Sequence, residues 1–214
     1  MIEVGSKPLR SAPRVMAMDF EDEARIAQET APVAAWKHLL LDELRQPHVR
    51  RRLALALAGV GWIHLFCFLG CQAAYDPSIG TDLRHPLLWL TELVAVLYLL
   101  RNVLGKGWIR SSSALNLIAK FWTTFLILSF NLVTLNAITG FELAWFKPVW
   151  ATLSTFLFAS LAWLFTPWFF IPAVQMWASG VLMVSFPEWC FLIYGVTWWI
   201  ALTAIACWIY PQGK

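Results

Sequence analysis

Between Lys147 and Glu188 lie 40 consecutive residues without a single Asp, Glu, Lys, Arg or His. As one helix rising ~1.5 Å per residue, the run would reach ~60 Å, about twice the ~30 Å hydrocarbon core of a bilayer. A soluble core has no room for it. The segment must therefore enter a membrane and return, and Thr166-Pro167-Trp168-Phe169-Phe170-Ile171-Pro172 at its middle is the turn signal.

The rest of the sequence agrees. Charged residues make up 14% of the 214, against ~25% in soluble domains. Residues 1–52 hold nine of the 16 Lys and Arg and eight of the 13 Asp and Glu, so few charges remain for the following 162 residues. The reading is an all-α, polytopic transmembrane helical bundle with a short cytosolic N-terminal helical tail. Six spans are expected, at about 53–74, 86–104, 114–138, 149–165, 168–186 and 189–210. Arg50, Arg51 and Arg52 directly before the first span place the N-terminus in the cytosol. Arg101, Lys106 and Arg110 place the second loop on the same side, and six crossings return the C-terminus there. The expected location is a plasma or inner membrane. If the central turn extends to Pro172, only about 14 apolar residues remain before Pro187, and residues 168–186 would form a re-entrant hairpin instead.

Within the tail (1–52), residues 1–17 read as disordered, and a short acidic helix follows from Asp19. A second helix at about 33–45 places Val33, Trp36, Leu40 and Leu44 on one face. That face suits the membrane surface or the protein's own loops. Pro47 should break this helix. No apolar h-region precedes the first span, so that span is expected to act as an uncleaved signal anchor. Trp89, Trp145, Trp150 and Trp189 fall at expected outer span ends and Trp108, Trp168 and Trp208 at inner ends, as in an interfacial aromatic belt. Trp62, Trp163 and Trp177 fall deeper and are expected to pack between helices. Ala54, Ala58 and Gly61 offer a small face for close helix packing. Ser111-Ser112-Ser113 is placed to cap the third span.

The candidate functional residues are the polar ones inside spans. Glu92 leads them, because a carboxylate near mid-membrane costs ~2.5–3.5 kcal/mol on insertion scales and so faces protein or water. Asn116, Lys120, Thr123, Thr124, Asn131 and Thr134 lie on one face of the third span. This stripe reads either as a polar pathway or as hydrogen-bonding glue between helices. Asn131 and Thr134 share the depth of Glu92, so a Glu92–Asn131 hydrogen bond is expected. Lys120 lies nearer the inner side, where its amine snorkels to the headgroups. His64, Cys67 and Cys71 occupy i, i+3 and i+7 of the first span, residue types that ligate metals, but their spacing fits no standard zinc pattern. His38, His48 and His85 are expected outside the spans.

HExxH, P-loop and GxSxG motifs are absent from the sequence. No catalytic residues, cofactor or nucleic-acid partner are expected. The favoured function is a non-enzymatic accessory or interaction subunit, with the lipid bilayer and other membrane subunits as its partners. The alternative is a small-solute or proton-coupled transporter or channel using Glu92, Asn131, Lys120 and Thr134.

Overall fold

The computed structural model describes residues 35–76, 83–139 and 146–210. The expectations for residues 1–17, for the acidic helix from Asp19, and for Val33, Glu142 and Trp145 lie outside them. The chain divides into two units, residues 1–36 and 37–214. In the first, Trp36 is exposed. The second holds the helical bundle.

The bundle's described residues are helical almost throughout. After the helix through residues 37–45 (α1) come α2 (Pro47–Ala74), α3 (Arg84–Leu104), the short α4 (Trp108–Ser111), α5 (Ser113–Ile138), α6 (Phe146–Leu164), α7 (Phe170–Ser185) and α8 (Cys190–Ile209). Single 3-10 turns, Pro167–Phe169 and Pro187–Trp189, lead into α7 and α8.

Five stretches are long and apolar enough to cross a membrane: Pro47–Ala74, Arg84–Leu104, Ser113–Ile138, Pro167–Ser185 and Pro187–Ile209. This is the composition of a multi-span membrane protein. The expected count was six, and α6 is the one that falls short. Lys147 stands at its start, and Thr152, Ser154, Thr155 and Ser160 dilute its apolar content. It is also well buried, with Trp150, Ala151, Ser154, Leu157, Phe158, Leu161 and Ala162 all inside the bundle. The face that packs on protein has less need of an apolar surface, while Val149, Phe156 and Trp163 on the other are exposed.

Pro47 does more than end α1, because it opens α2 at the first helical position, where its missing N–H costs nothing. Arg50, Arg51 and Arg52 therefore lie in the first turns of α2. Pro172 sits in the first turn of α7, so the turn after α6 closes by Phe169. Gly105 (φ +94°) and Gly107 (φ +76°) take left-handed backbone in the turn after α3, which residues with a Cβ rarely adopt.

The core is organised on α8. Phe191, Tyr194, Gly195, Trp198, Ala201, Leu202 and Ala206 are buried along it, and its longest packing is against α2. Gly195 allows that approach, since a Cβ there would come within 2.6 Å of Phe68 Cβ. The small face of α2 contributes too, because Gly61 lies against Leu202. Buried polar bonds stitch the neighbours together. Ser154 Oγ and Tyr194 Oη are 2.8 Å apart between α6 and α8, and Gln175 Nε2 donates to the Thr197 carbonyl from α7 (3.2 Å). Gln72 of α2 accepts from the Leu192 N–H (3.1 Å) and donates to the Glu188 carbonyl (2.8 Å), which secures the first turn of α8.

Three deep tryptophans behave otherwise than expected. Trp62, Trp163 and Trp177 face outward, while Trp89, Trp150 and Trp198 fill the interior. In a span that is apolar all round, residue type alone does not mark the buried face, because lipid is as apolar as a core.

Helix α1 is a strap across one end of the bundle. Leu40 is buried and Leu44 packs on the core, so these two residues of the apolar face lie against the protein itself. Lys37 Nζ donates to the Trp163 carbonyl in the last turn of α6 (2.7 Å). Glu43 Oε2 accepts from Ser112 Oγ (2.7 Å) and from the Ala114 N–H (3.0 Å) at the start of α5. Ser112 is itself the N-cap, as expected, and accepts from the Leu115 N–H. A cation thus meets a helix C-terminus and an anion a helix N-terminus, the favourable sense for both dipoles. These N–H and O–H bonds hold the Glu43 carboxyl below its ordinary value of 4.5.

Candidate functional site

α2 and α3 are consecutive antiparallel helices, so residues equally far from their connection lie level. His64 is ten residues before the end of α2 at Ala74, and Glu92 is eight residues after the start of α3 at Arg84. The two meet, with His64 Nδ1 2.5 Å from Glu92 Oε1 and each side chain only 14% exposed. One proton lies between them in either tautomer, donated by the imidazole N–H to a carboxylate or by a carboxylic O–H to the imidazole.

Aromatic rings enclose the pair. Phe68 lies 4.4 Å from the His64 ring, Trp198 5.5 Å and Tyr194 5.6 Å, centroid to centroid. Beyond them a half-open cavity of about 90 Å³ is bounded by Trp89 and Val96 of α3, Trp122, Phe125 and Ser129 of α5, and Trp150 of α6. α3 and α5 face each other across this space and scarcely touch. Among the residues around it, His64 Nε2, Trp89 Nε1 and Ser129 Oγ are buried without a hydrogen-bond partner.

This chain matches no protein family, no curated protein and no solved structure. Its function has to be read from the site.

The residues singled out in the sequence are placed as follows. Glu92 is buried in a polar contact, but its partner is His64 and not Asn131. Asn131, Lys120 and Thr134 lie on the exposed side of α5 with Thr123 and Thr124, turned away from the cavity. The three threonines bond back to carbonyls of their own helix. The expected Glu92–Asn131 bond is therefore corrected. Matching depth put the two residues level, but α5 turns Ser129 and Val133 inward and Asn131 outward.

The weak metal candidates His64, Cys67 and Cys71 lie along one side of α2. Cys67 Sγ donates to the Leu88 carbonyl (3.4 Å), and Cys71 is buried one turn further along α2. Among the described residues, no three His, Cys, Asp or Glu side chains are grouped so as to hold a metal ion. His85, expected outside the spans, is fully buried within α3. It donates from Nε2 to the Cys71 carbonyl (3.2 Å) and stacks on Phe191 at 5.0 Å. It ties α3 to α2 and α8 and stands outside the cavity.

Proposed function

We propose that the chain is a six-crossing membrane protein that passes a small solute together with a proton, and that the His64–Glu92 pair is where the proton is exchanged. The observation carrying this reading is a largely buried ionisable pair at matching positions of two membrane-length helices, beside a cavity. Ionisable residues inside spans are costly and so are functional suspects. An imidazole bonded to a carboxylate has one ring nitrogen that donates and one that accepts, the arrangement that relays a proton. Cys67 on α2 and Tyr194 on α8 also lie within reach of the Glu92 charge.

In this reading α6 is the remaining crossing. Its length, the turn that follows it and its packing against α7 support that role despite its lower apolar content. The arginines at the start of α2 and the basic turn after α3 belong on the cytosolic side.

The test is proton movement in liposomes loaded with a pH-sensitive dye under an imposed pH gradient. The intact protein should acidify the lumen faster than protein-free liposomes, and Glu92→Gln should abolish the excess. Undiminished flux in Glu92→Gln would defeat the proposal.

A second reading, an accessory subunit, is favoured by one observation. Lys120 and Asn131 point out of the bundle, where a polar amide in lipid calls for a partner helix. The same experiment separates the two readings. If the intact protein is indistinguishable from empty liposomes, proton passage by this chain on its own is defeated and the accessory reading is favoured.

A further inference from the structure

We infer that a second cavity, between the α1 strap and the bundle, holds a membrane phospholipid with a net anionic headgroup. This goes beyond the proposed function and does not depend on proton passage.

This cavity measures about 460 Å³, within the ~300–1,000 Å³ of ordinary ligand sites. It shares only Trp122 and Leu202 with the cavity beside His64. Its lining is overwhelmingly apolar, and its charged members are Arg45 and Arg50, with no carboxylate among them. The arrangement suits an amphiphile. Arg50, Leu53 and Leu57 are spaced i, i+3 and i+7, which places them along one face of α2. The arginine stands at the start of the helix, and the leucines lead about 10 Å along it. Trp168 and Trp208 line the same cavity, a residue type favoured at headgroup level. The charge selects the headgroup. The Arg45 side chain is 73% exposed, so a headgroup reaches it from outside the bundle. Its 3.3 Å pair with Asp42 engages Nη1, and a guanidinium carries five N–H donors, so others remain for a phosphate. Asp42 lies off the lining, and the Glu43 carboxyl is already bonded to Ser112 and Ala114. Basic pockets at the cytosolic ends of spans attract anionic lipid in this way. A zwitterionic headgroup brings a cation of its own, which two arginines repel.

The probes are dioleoyl phosphatidylglycerol and dioleoyl phosphatidylcholine, which share their chains and differ in headgroup charge. Each is titrated into the purified, delipidated full-length protein in mild nonionic detergent while thermal unfolding is followed. A lipid that binds the native state raises the midpoint saturably. The expected result is a saturable rise with the anionic lipid at about tenfold less lipid than with the zwitterionic one. Arg45→Gln/Arg50→Gln should remove that preference. Arg51→Gln/Arg52→Gln should keep it, because these arginines are exposed neighbours off the lining and the charge removed is the same. Leu57→Trp puts a larger side chain into the cavity and should weaken both lipids. If Arg45→Gln/Arg50→Gln does not fold, Arg45→Gln alone, at an exposed position, should lower the preference.

Equal responses to the two lipids, or none to either, would overturn the inference. So would a preference that survives loss of Arg45 and Arg50, or one that falls as far in Arg51→Gln/Arg52→Gln, which is attraction to surface charge in general. Unchanged binding in Leu57→Trp would place the lipid somewhere other than this cavity and overturn it as well.

Discussion

Glu92→Ala, with His64 left in place, should lower stability by about 3–5 kcal/mol, the usual cost of stranding one member of a buried polar pair. His64→Ala should cost a similar amount, since the Glu92 carboxyl is then left among aromatic rings. The double variant His64→Leu/Glu92→Leu is expected to recover most of either loss, because apolar replacement of both partners removes the unpaired group. Reversible unfolding from mild detergent into a denaturing one measures all three, and adding His64→Ala/Glu92→Ala closes the cycle that isolates the coupling. Strictly additive losses would mean that the two side chains do not depend on each other.

The second large effect belongs to Gly195. A methyl group there meets Phe68 Cβ at 2.6 Å, and this Cβ is anchored to the backbone of α2. The clash can be relieved only by moving α2 and α8 apart. Gly195→Ala should therefore cost about 1–3 kcal/mol, the scale of overpacking. It should also disturb His64, whose ring rests on Phe68. Gly59→Ala is the control. Its nearest contact, at 2.7 Å, is a terminal methyl of Leu99, which can rotate away. That change should fall between neutral and a gain of about 1 kcal/mol from helix propensity. Thermal midpoints of the two variants compare them directly, and equal losses would contradict the close packing of α2 on α8.

How legible each property is in the sequence depends on how it is encoded. Helix content and the membrane-length apolar stretches were legible, because hydrocarbon thickness sets a length and charges punctuate it. Ser112 was legible as a cap because capping is local. The importance of Glu92 was legible because a carboxylate in a span is rare. Its partner was not found through the polar stripe of α5, since that stripe marks one face without saying which way it turns. The hairpin offered a better guide. Counting roughly equal distances from the α2–α3 connection pairs His64 with Glu92 from residue positions alone. Glu43, Lys37 and Gln72 carried no such signal. Each serves a helix end distant in sequence, and only the packing brings them there.

The most direct test of the central claim, that His64 and Glu92 hold an exchangeable proton inside the bundle, is pH-difference infrared spectroscopy of the protein in liposomes. The account predicts a carboxyl band that appears and disappears with pH, is missing in Glu92→Gln and shifts in His64→Gln. A difference spectrum that is the same in all three proteins would contradict it.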